Sequence, residues 1–263
     1  MMEYLSTNRD AWNKRVAAHL QSEFYDIDGW KAGKTSLNTI ELGLLGDVSG
    51  KSILHLQCHF GQDTLSLARM GAQVVGIDLS DEAIAAARKL NEELGLNAEF
   101  VESDVLDLIG KLDQEFDMVF TSYGTIGWLP DLDRWAKVIS HHLKPNGKLV
   151  FVEFHPVVWM FDASFEKVEH RYFQDGPIVE TNSGTYADPN HAMEKTEVSW
   201  NHGLAEVFQA LENNGMILKH FNEYDHSPYN CFAGMKQLSE RRYIIEKHGN
   251  KLPLIYSLTA TKK

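Results

Sequence analysis

Cysteine is scarce in this chain: 263 residues hold two, Cys58 and Cys231. Two thiols cannot build the disulfide framework of a small secreted domain, and a reducing compartment suits them. Basic residues are also few, 25 against 37 acidic ones, for a formal net charge of −12. An acidic surface repels phosphate backbones. The nearest basic runs, Glu240-Arg241-Arg242 and Lys262-Lys263, read as solvated helix and tail. Nucleic acid is therefore not an expected partner. No run approaches the roughly 18 apolar residues of a membrane span. Met1 to Asp10 is polar and lacks the apolar stretch of a secretory leader, so no membrane association and a cytoplasmic location are expected. Internal repeats and low-complexity segments are missing too, which excludes solenoids and disordered tails.

What is present is ordinary globular material, 43% hydrophobic and 24% charged. The length supports a full core without metals or cross-links, yet is short for two independent domains. The first residues read as helical, with Trp12, Val16 and Leu20 on one face. A turn-rich patch covers Asp26 to Lys34, and Ser36 is placed to cap a helix over Leu37–Leu45.

From Lys51 onward, short apolar strands alternate with helices. Strands are expected at Ile53–Leu56, Val74–Ile77, Ala98–Val101, Met118–Phe120 and Lys148–Phe154. Helices fall between them, at Gln62–Met70, after Ser80, and at Leu132–His142. Beyond Phe154 the alternation lapses into an aromatic, mixed-polarity stretch that looks like an inserted lid. A helix over Leu204–Asn213, a strand over Met216–Tyr224, a second excursion from His226 to Lys251 and a last strand over Leu254–Thr259 complete the pattern. Such alternation means α/β architecture: a doubly wound, mostly parallel sheet covered on both faces. Ligands of such sheets bind at the rim formed by the carboxyl ends of the strands.

Five segments on that rim carry the chemistry. Ile53-Leu54-His55-Leu56-Gln57-Cys58-His59-Phe60-Gly61-Gln62-Asp63-Thr64 reads as strand, tight loop and helix start. Gly76-Ile77-Asp78-Leu79-Ser80 puts an acid at the end of the second strand, where a carboxylate can take both hydroxyls of a ribose. Glu102-Ser103-Asp104-Val105, Phe116 to Gly124, and Leu143 to Leu149 follow in order. In this order and spacing, from Lys51 to Phe154, they resemble the class I S-adenosylmethionine-dependent methyltransferases, in a bacterial small-molecule branch. The chain departs from that family by carrying His55 where an acid stands, and Gln57 and His59 where glycines stand. A pyrophosphate needs those glycines for close backbone approach; a phosphate-free sulfonium nucleoside does not, so their loss weighs more against a nicotinamide-dependent oxidoreductase.

The resemblance implies a seven-stranded Rossmann-like sheet and S-adenosylmethionine as cofactor. It implies a single domain over 1–263, comprising an N-terminal helical cap (1–46), a cofactor-binding core (47–154), a lid and substrate insertion (155–200) and the C-terminal part of the sheet (201–263). By the same resemblance, backbone at Gln57 and His59 holds the methionine end and Gly61 lets the helix pack closely. Asp78 takes the ribose, Leu79 lies against the adenine, and Asp104 with Val105 addresses its amino edge. Thr121 and Ser122 line the sulfonium, and Trp12 and Tyr25 fold over the cofactor. The implied partner is a small-molecule methyl acceptor, served by a monomer or homodimer without a metal.

A base for the acceptor is expected from the strand ends: Glu153 and His155 after the fifth strand, His226 after the sixth, with His202 behind them. Trp128 is placed to wall an apolar acceptor. Cys58 reads as an inert buried thiol, and a zinc site built on His55, Cys58 and His59 is disfavoured because strand side chains alternate in direction. A non-catalytic binder of the methyl donor or its demethylated product stands as the alternative function.

Overall fold

The computed structural model describes residues 3–263. The first two residues of the expected N-terminal cap lie outside these. The elements that build the molecule are β1 (Ser52–Leu56), α4 (Gln62–Arg69), β2 (Gln73–Asp78), α5 (Asp81–Glu93), β3 (Glu99–Glu102), β4 (Phe116–Ser122), α6 (Leu132–His142) and β5 (Leu143–Phe154). Three helices precede them: α1 (Glu3–Gln21), α2 (Ile27–Lys31) and α3 (Thr39–Leu45). A hairpin, β6 (Ile178–Ser183) and β7 (Glu194–Ser199), then leads to α7 (Leu204–Asn213) and β8 (Met216–Tyr224). A second hairpin, β9 (Met235–Ser239) and β10 (Arg242–Ile245), precedes β11 (Ile255–Lys262).

Seven strands form one sheet in the order β3-β2-β1-β4-β5-β11-β8. All neighbours from β3 to β5 pair in parallel, whereas β11 runs antiparallel to both β5 and β8. Strand order reverses on either side of β1, which opens the rim between β1 and β4. Because successive side chains alternate, Leu54 and Leu56 enter a core with Trp135 and Ile139 of α6 and Val207 of α7. Ile53 points the other way, to Leu45 of α3 and Leu67 of α4. Each of the three β1 side chains is fully buried, which contributes about 1.5–3 kcal/mol apiece.

Three local expectations are corrected. Helix α3 starts at Thr39 after Asn38, whose backbone N–H donates to Glu41 Oε1 at 2.5 Å; Ser36 instead meets Ser66 Oγ at 2.8 Å. The turn-rich patch contains a helical turn, α2, capped by Asp26. Arg241 does not lie on a solvated helix. It sits at the β9–β10 turn with φ 51° and donates to the carbonyls of Thr35, Ser36 and Leu37 and to Asn38 Oδ1. The stretch after β5 is more regular than expected, since β6 and β7 pair over six residues each.

Helix α1 binds this hairpin to the sheet. Asn8 Nδ2 donates to Val198 O, and Val198 N donates back to Asn8 Oδ1, both at 2.8 Å. At the same helix Asn13 holds the α5 start, bonding Asp81 Oδ1 at 2.8 Å and accepting from Ser80 Oγ at 2.6 Å.

Candidate active site

The loop after β1 climbs over the rim through three left-handed residues, Gln57 (φ 55°), His59 (φ 51°) and Gly61 (φ 77°). Gly61 has no alternative there. A Cβ on it would stand 2.6 Å from Phe100 Cε1 and 3.0 Å from Ala87 Cβ, so the start of α4 packs against β3 and α5 at closest approach. His55, where the family has an acid, bonds Thr64 Oγ1 at 2.8 Å and stacks on Phe120. Burial pulls its pKa down to about 3, so it is neutral. Burial also raises the Cys58 thiol well above its usual value, which makes it unreactive.

Asp78 ends β2 and is pinned by two backbone donors: His59 N–H to Oδ2 at 2.7 Å and Ser80 N–H to Oδ1 at 2.9 Å. Burial raises its pKa to about 6 against the pull of those donors. Each oxygen keeps a further lone pair. The backbone N–H of His59 is thereby committed to Asp78. Leu79 follows at the edge. Asp104 accepts from Leu106 N at 3.0 Å, is partly covered, and has its pKa raised chiefly by burial; Val105 beside it is buried. Thr121, at the end of β4, is fully buried and its Oγ1 has no partner; Ser122 next to it is half-buried.

The expected bases are engaged elsewhere. Glu153 is 2% exposed, and its carboxylate takes the backbone N–H groups of Gly124, Thr125 (2.7 Å), Ile126 (3.2 Å) and Phe154 (2.7 Å), with Thr125 Oγ1 at 2.9 Å. Burial raises its pKa while these donors lower it; since both oxygens face only donors, it is a fixed acceptor that anchors the loop after β4. His155 accepts from Val157 N at Nδ1 and binds Glu223 at 2.8 Å through Nε2, so neither ring nitrogen is free. His202 likewise bonds Glu206 and Leu129 O. His226 pairs with Asp225 at 2.9 Å at the end of β8, four strands from β1 and thus roughly 19 Å across the sheet.

The rim is instead filled by a constellation that spans the chain. Trp12 packs edge-on against His59 and Trp128, at 5.3 and 5.4 Å between centroids. His19 Nδ1 and His59 Nε2 are 2.8 Å apart, while His19 Nε2 and His59 Nδ1 are buried without partners. Burial, with Arg15 and Lys195 nearby, lowers His19 to about 3, and burial with His19 and Arg15 lowers His59. A neutral imidazole pair of this kind always leaves one outer nitrogen as acceptor and the other as donor. Above it, Tyr25 and Tyr186 join hydroxyls at 2.5 Å, and Phe24 lies 5.4 Å from Tyr186 and 5.5 Å from Tyr229. Tyr186 keeps 37% of its surface accessible, yet burial drives its pKa up to about 12.

Trp12, Arg15 and His19 lie at i, i+3 and i+7 on α1, so one helix face could have been read as a functional stripe. Nothing local in the sequence points to Tyr186 or Lys195. Among the described residues, no group of three or more His, Cys, Asp or Glu could hold a metal ion, and no helix is long and apolar enough to cross a membrane.

Residues 53–147 match the family described as a methyltransferase domain. A ubiquinone biosynthesis O-methyltransferase of Xanthomonas euvesicatoria is 31% identical over 135 residues, 50% of this chain and 56% of that protein. The chain thus spans little more than half the length of the curated relatives it matches. Among solved structures, an S-adenosylmethionine-dependent methyltransferase from Clostridium acetobutylicum superimposes with TM-score 0.58 at 13% identity, covering 96% of each chain. The glycopeptide N-methyltransferase MtfA, complexed with S-adenosyl-L-methionine, aligns with TM-score 0.54 at 17% identity over 84% of this chain and 90% of its own. Sheet order, domain match and relatives agree: residues 53–147 are a methyltransferase domain, set in a chain with the fold of the S-adenosylmethionine-dependent methyltransferases.

Proposed function

We propose that this protein transfers a methyl group from S-adenosylmethionine to a small molecule held against the aromatic side chains above the rim. One observation carries the reading: buried polar atoms without partners, Gln57 Oε1, Thr121 Oγ1, His59 Nδ1 and two nitrogens of Arg15, gather at the domain's cofactor rim. Leaving such groups unpaired costs about 1–3 kcal/mol each, so they fit a polar ligand that completes them.

In this reading Asp78 takes the ribose hydroxyls, with Leu79, Asp104 and Val105 along the base. Thr121 and Ser122 lie by the reacting sulfur, and Trp12 and Tyr25 cover it. The bound cofactor supplies an electrophilic methyl on a sulfonium centre. The chain's own part is to align the acceptor, exclude water and move a proton. Phe24, Tyr25, Tyr186 and Tyr229 favour a flat or apolar acceptor. Of the histidines, the His19–His59 pair is the best placed: neutral, it takes a proton at one outer nitrogen and releases one at the other. Glu153 acts by holding the Gly124–Ile126 turn. The segment 155–200 serves as lid, and the site works as a monomer or homodimer in a reducing cytoplasm, with a formal net charge of −12 that turns nucleic acid away.

Isothermal calorimetry with S-adenosylhomocysteine tests this. Micromolar binding is expected, with no measurable binding of a nicotinamide dinucleotide. The opposite preference would overturn the proposal.

A further inference from the structure

Arg15 is 4% exposed, and its guanidinium stands 4.5 Å from the Trp12 ring centroid and 5.6 Å from that of Trp128. Nη2 pairs with Glu197 of β7, whereas Nε and Nη1 have no partner. Glu197 is shared: Lys195 Nζ lies 2.9 Å from its other oxygen, and Lys195 is buried as well. Two buried cations therefore face one buried carboxylate. The cluster is short of one negative charge, and a buried uncompensated charge costs several kcal/mol.

The same corner offers an acceptor of the opposite kind. Gln57 anchors its Nε2 on Thr125 O at 2.8 Å, and its buried Oε1 has no partner. Trp128, on which Arg15 stacks, donates its backbone N–H to that same Thr125 carbonyl, so Gln57 and Arg15 both reach the Thr125–Trp128 turn. The loop's own donor, His59 N–H, is spent on Asp78. A ligand group that satisfies this corner must bring an anion for the cations and an N–H donor for the amide oxygen. An α-amino acid terminus does both.

We propose that Arg15, backed by Lys195, receives the carboxylate of the methyl donor's amino-acid end, and that the Gln57 side chain receives its ammonium. The inference rests on the methyl-donor reading above and adds to it a side-chain clamp in place of loop backbone. Arg15 then links cofactor and β7, since the ligand carboxylate joins Glu197 in balancing the two cations.

The test is calorimetric, on the full chain, with two probes. S-adenosylhomocysteine carries the amino-acid end; 5′-methylthioadenosine has the same adenosyl thioether without it. Wild type should prefer the former by about 10-fold or more, the range of one to two charge-assisted hydrogen bonds. Arg15→Gln should weaken S-adenosylhomocysteine by about 10- to 100-fold and leave methylthioadenosine unchanged. Gln57→Leu, which leaves the Arg15–Glu197 pair in place, should weaken the first probe by about 5- to 10-fold and spare the second. It decides the question if Arg15→Gln does not fold. Equal affinities for the two probes in wild type, an unchanged preference in the variants, or a parallel loss of both probes would each overturn the clamp and leave the adenosyl site standing. Failure of wild type to bind either probe would instead overturn the methyl-donor reading itself.

Discussion

Replacing Gly61 by alanine tests whether the cofactor loop depends on close packing. Two costs follow from the structure. With φ at 77°, an L-residue in the left-handed region pays about 1–2 kcal/mol. The new methyl would stand 2.6 and 2.8 Å from two ring atoms of Phe100 and 3.0 Å from Ala87, well inside ordinary contact. Phe100 is 6% exposed and packed among Cys58, Phe60 and Ile84, so its ring has little room to move, and overpacking of this kind costs about 1–3 kcal/mol. The sum is about 2–5 kcal/mol, or a fall in Tm of roughly 4–20 °C for a chain of this size. Urea denaturation followed by circular dichroism measures it. The two costs are separable: Phe100→Leu in the Gly61→Ala background should restore the steric part and leave the backbone part, giving a coupling energy of about 1 kcal/mol or more in a double-mutant cycle. A Gly61→Ala protein with wild-type stability, or a cycle with no coupling, would refute the packing argument.

Asp78 titrates in a useful range. Its folded pKa, about 6, lies above the ordinary 3.8, so the buried charge lowers stability as pH rises through that interval. Ribose hydroxyls bind best to the ionised form, so affinity for S-adenosylhomocysteine should weaken as pH falls through 6, and Asp78→Asn should bind weakly with a flatter profile between pH 5 and 7. Glu153→Gln puts an amide NH2 among donors, and a stability loss of about 2–4 kcal/mol in denaturant titration is expected. A wild-type denaturation midpoint would show that the carboxylate is not an anchor.

Helices α6 and α7 lie at the residues where apolar periodicity put them, because each buries one face against the sheet; strand β8 also lies where expected, although of its residues only Met216 is buried. The places of Gly61, at the start of α4, and Asp78, at the end of β2, were equally legible from the strand–loop–helix pattern, although what packs on Gly61 comes from β3 and α5. The two hairpins were not. Strand β6 is almost wholly exposed and reads Ile-Val-Glu-Thr-Asn-Ser, so no apolar alternation betrays it; its order comes from pairing with β7. Titratable groups at strand ends misled for a related reason. Position on the rim is a property of the strand, but whether a carboxylate is free depends on donors delivered by a turn 27 to 29 residues away, as for Glu153. Arg15 and Glu197 are 182 residues apart, and only the folded chain brings their charges together.

The amide clasp between Asn8 and Val198 couples the β6–β7 hairpin to helix α1. The β6–β7 hairpin cannot rise as a free flap while both of those bonds hold, because the 19-residue helix α1 would have to travel with it. Movement of the hairpin therefore requires either that helix and hairpin swing together or that the clasp part first. Loosening it, as in Asn8→Ala, would let the hairpin move apart from α1 and speed amide hydrogen exchange along β7.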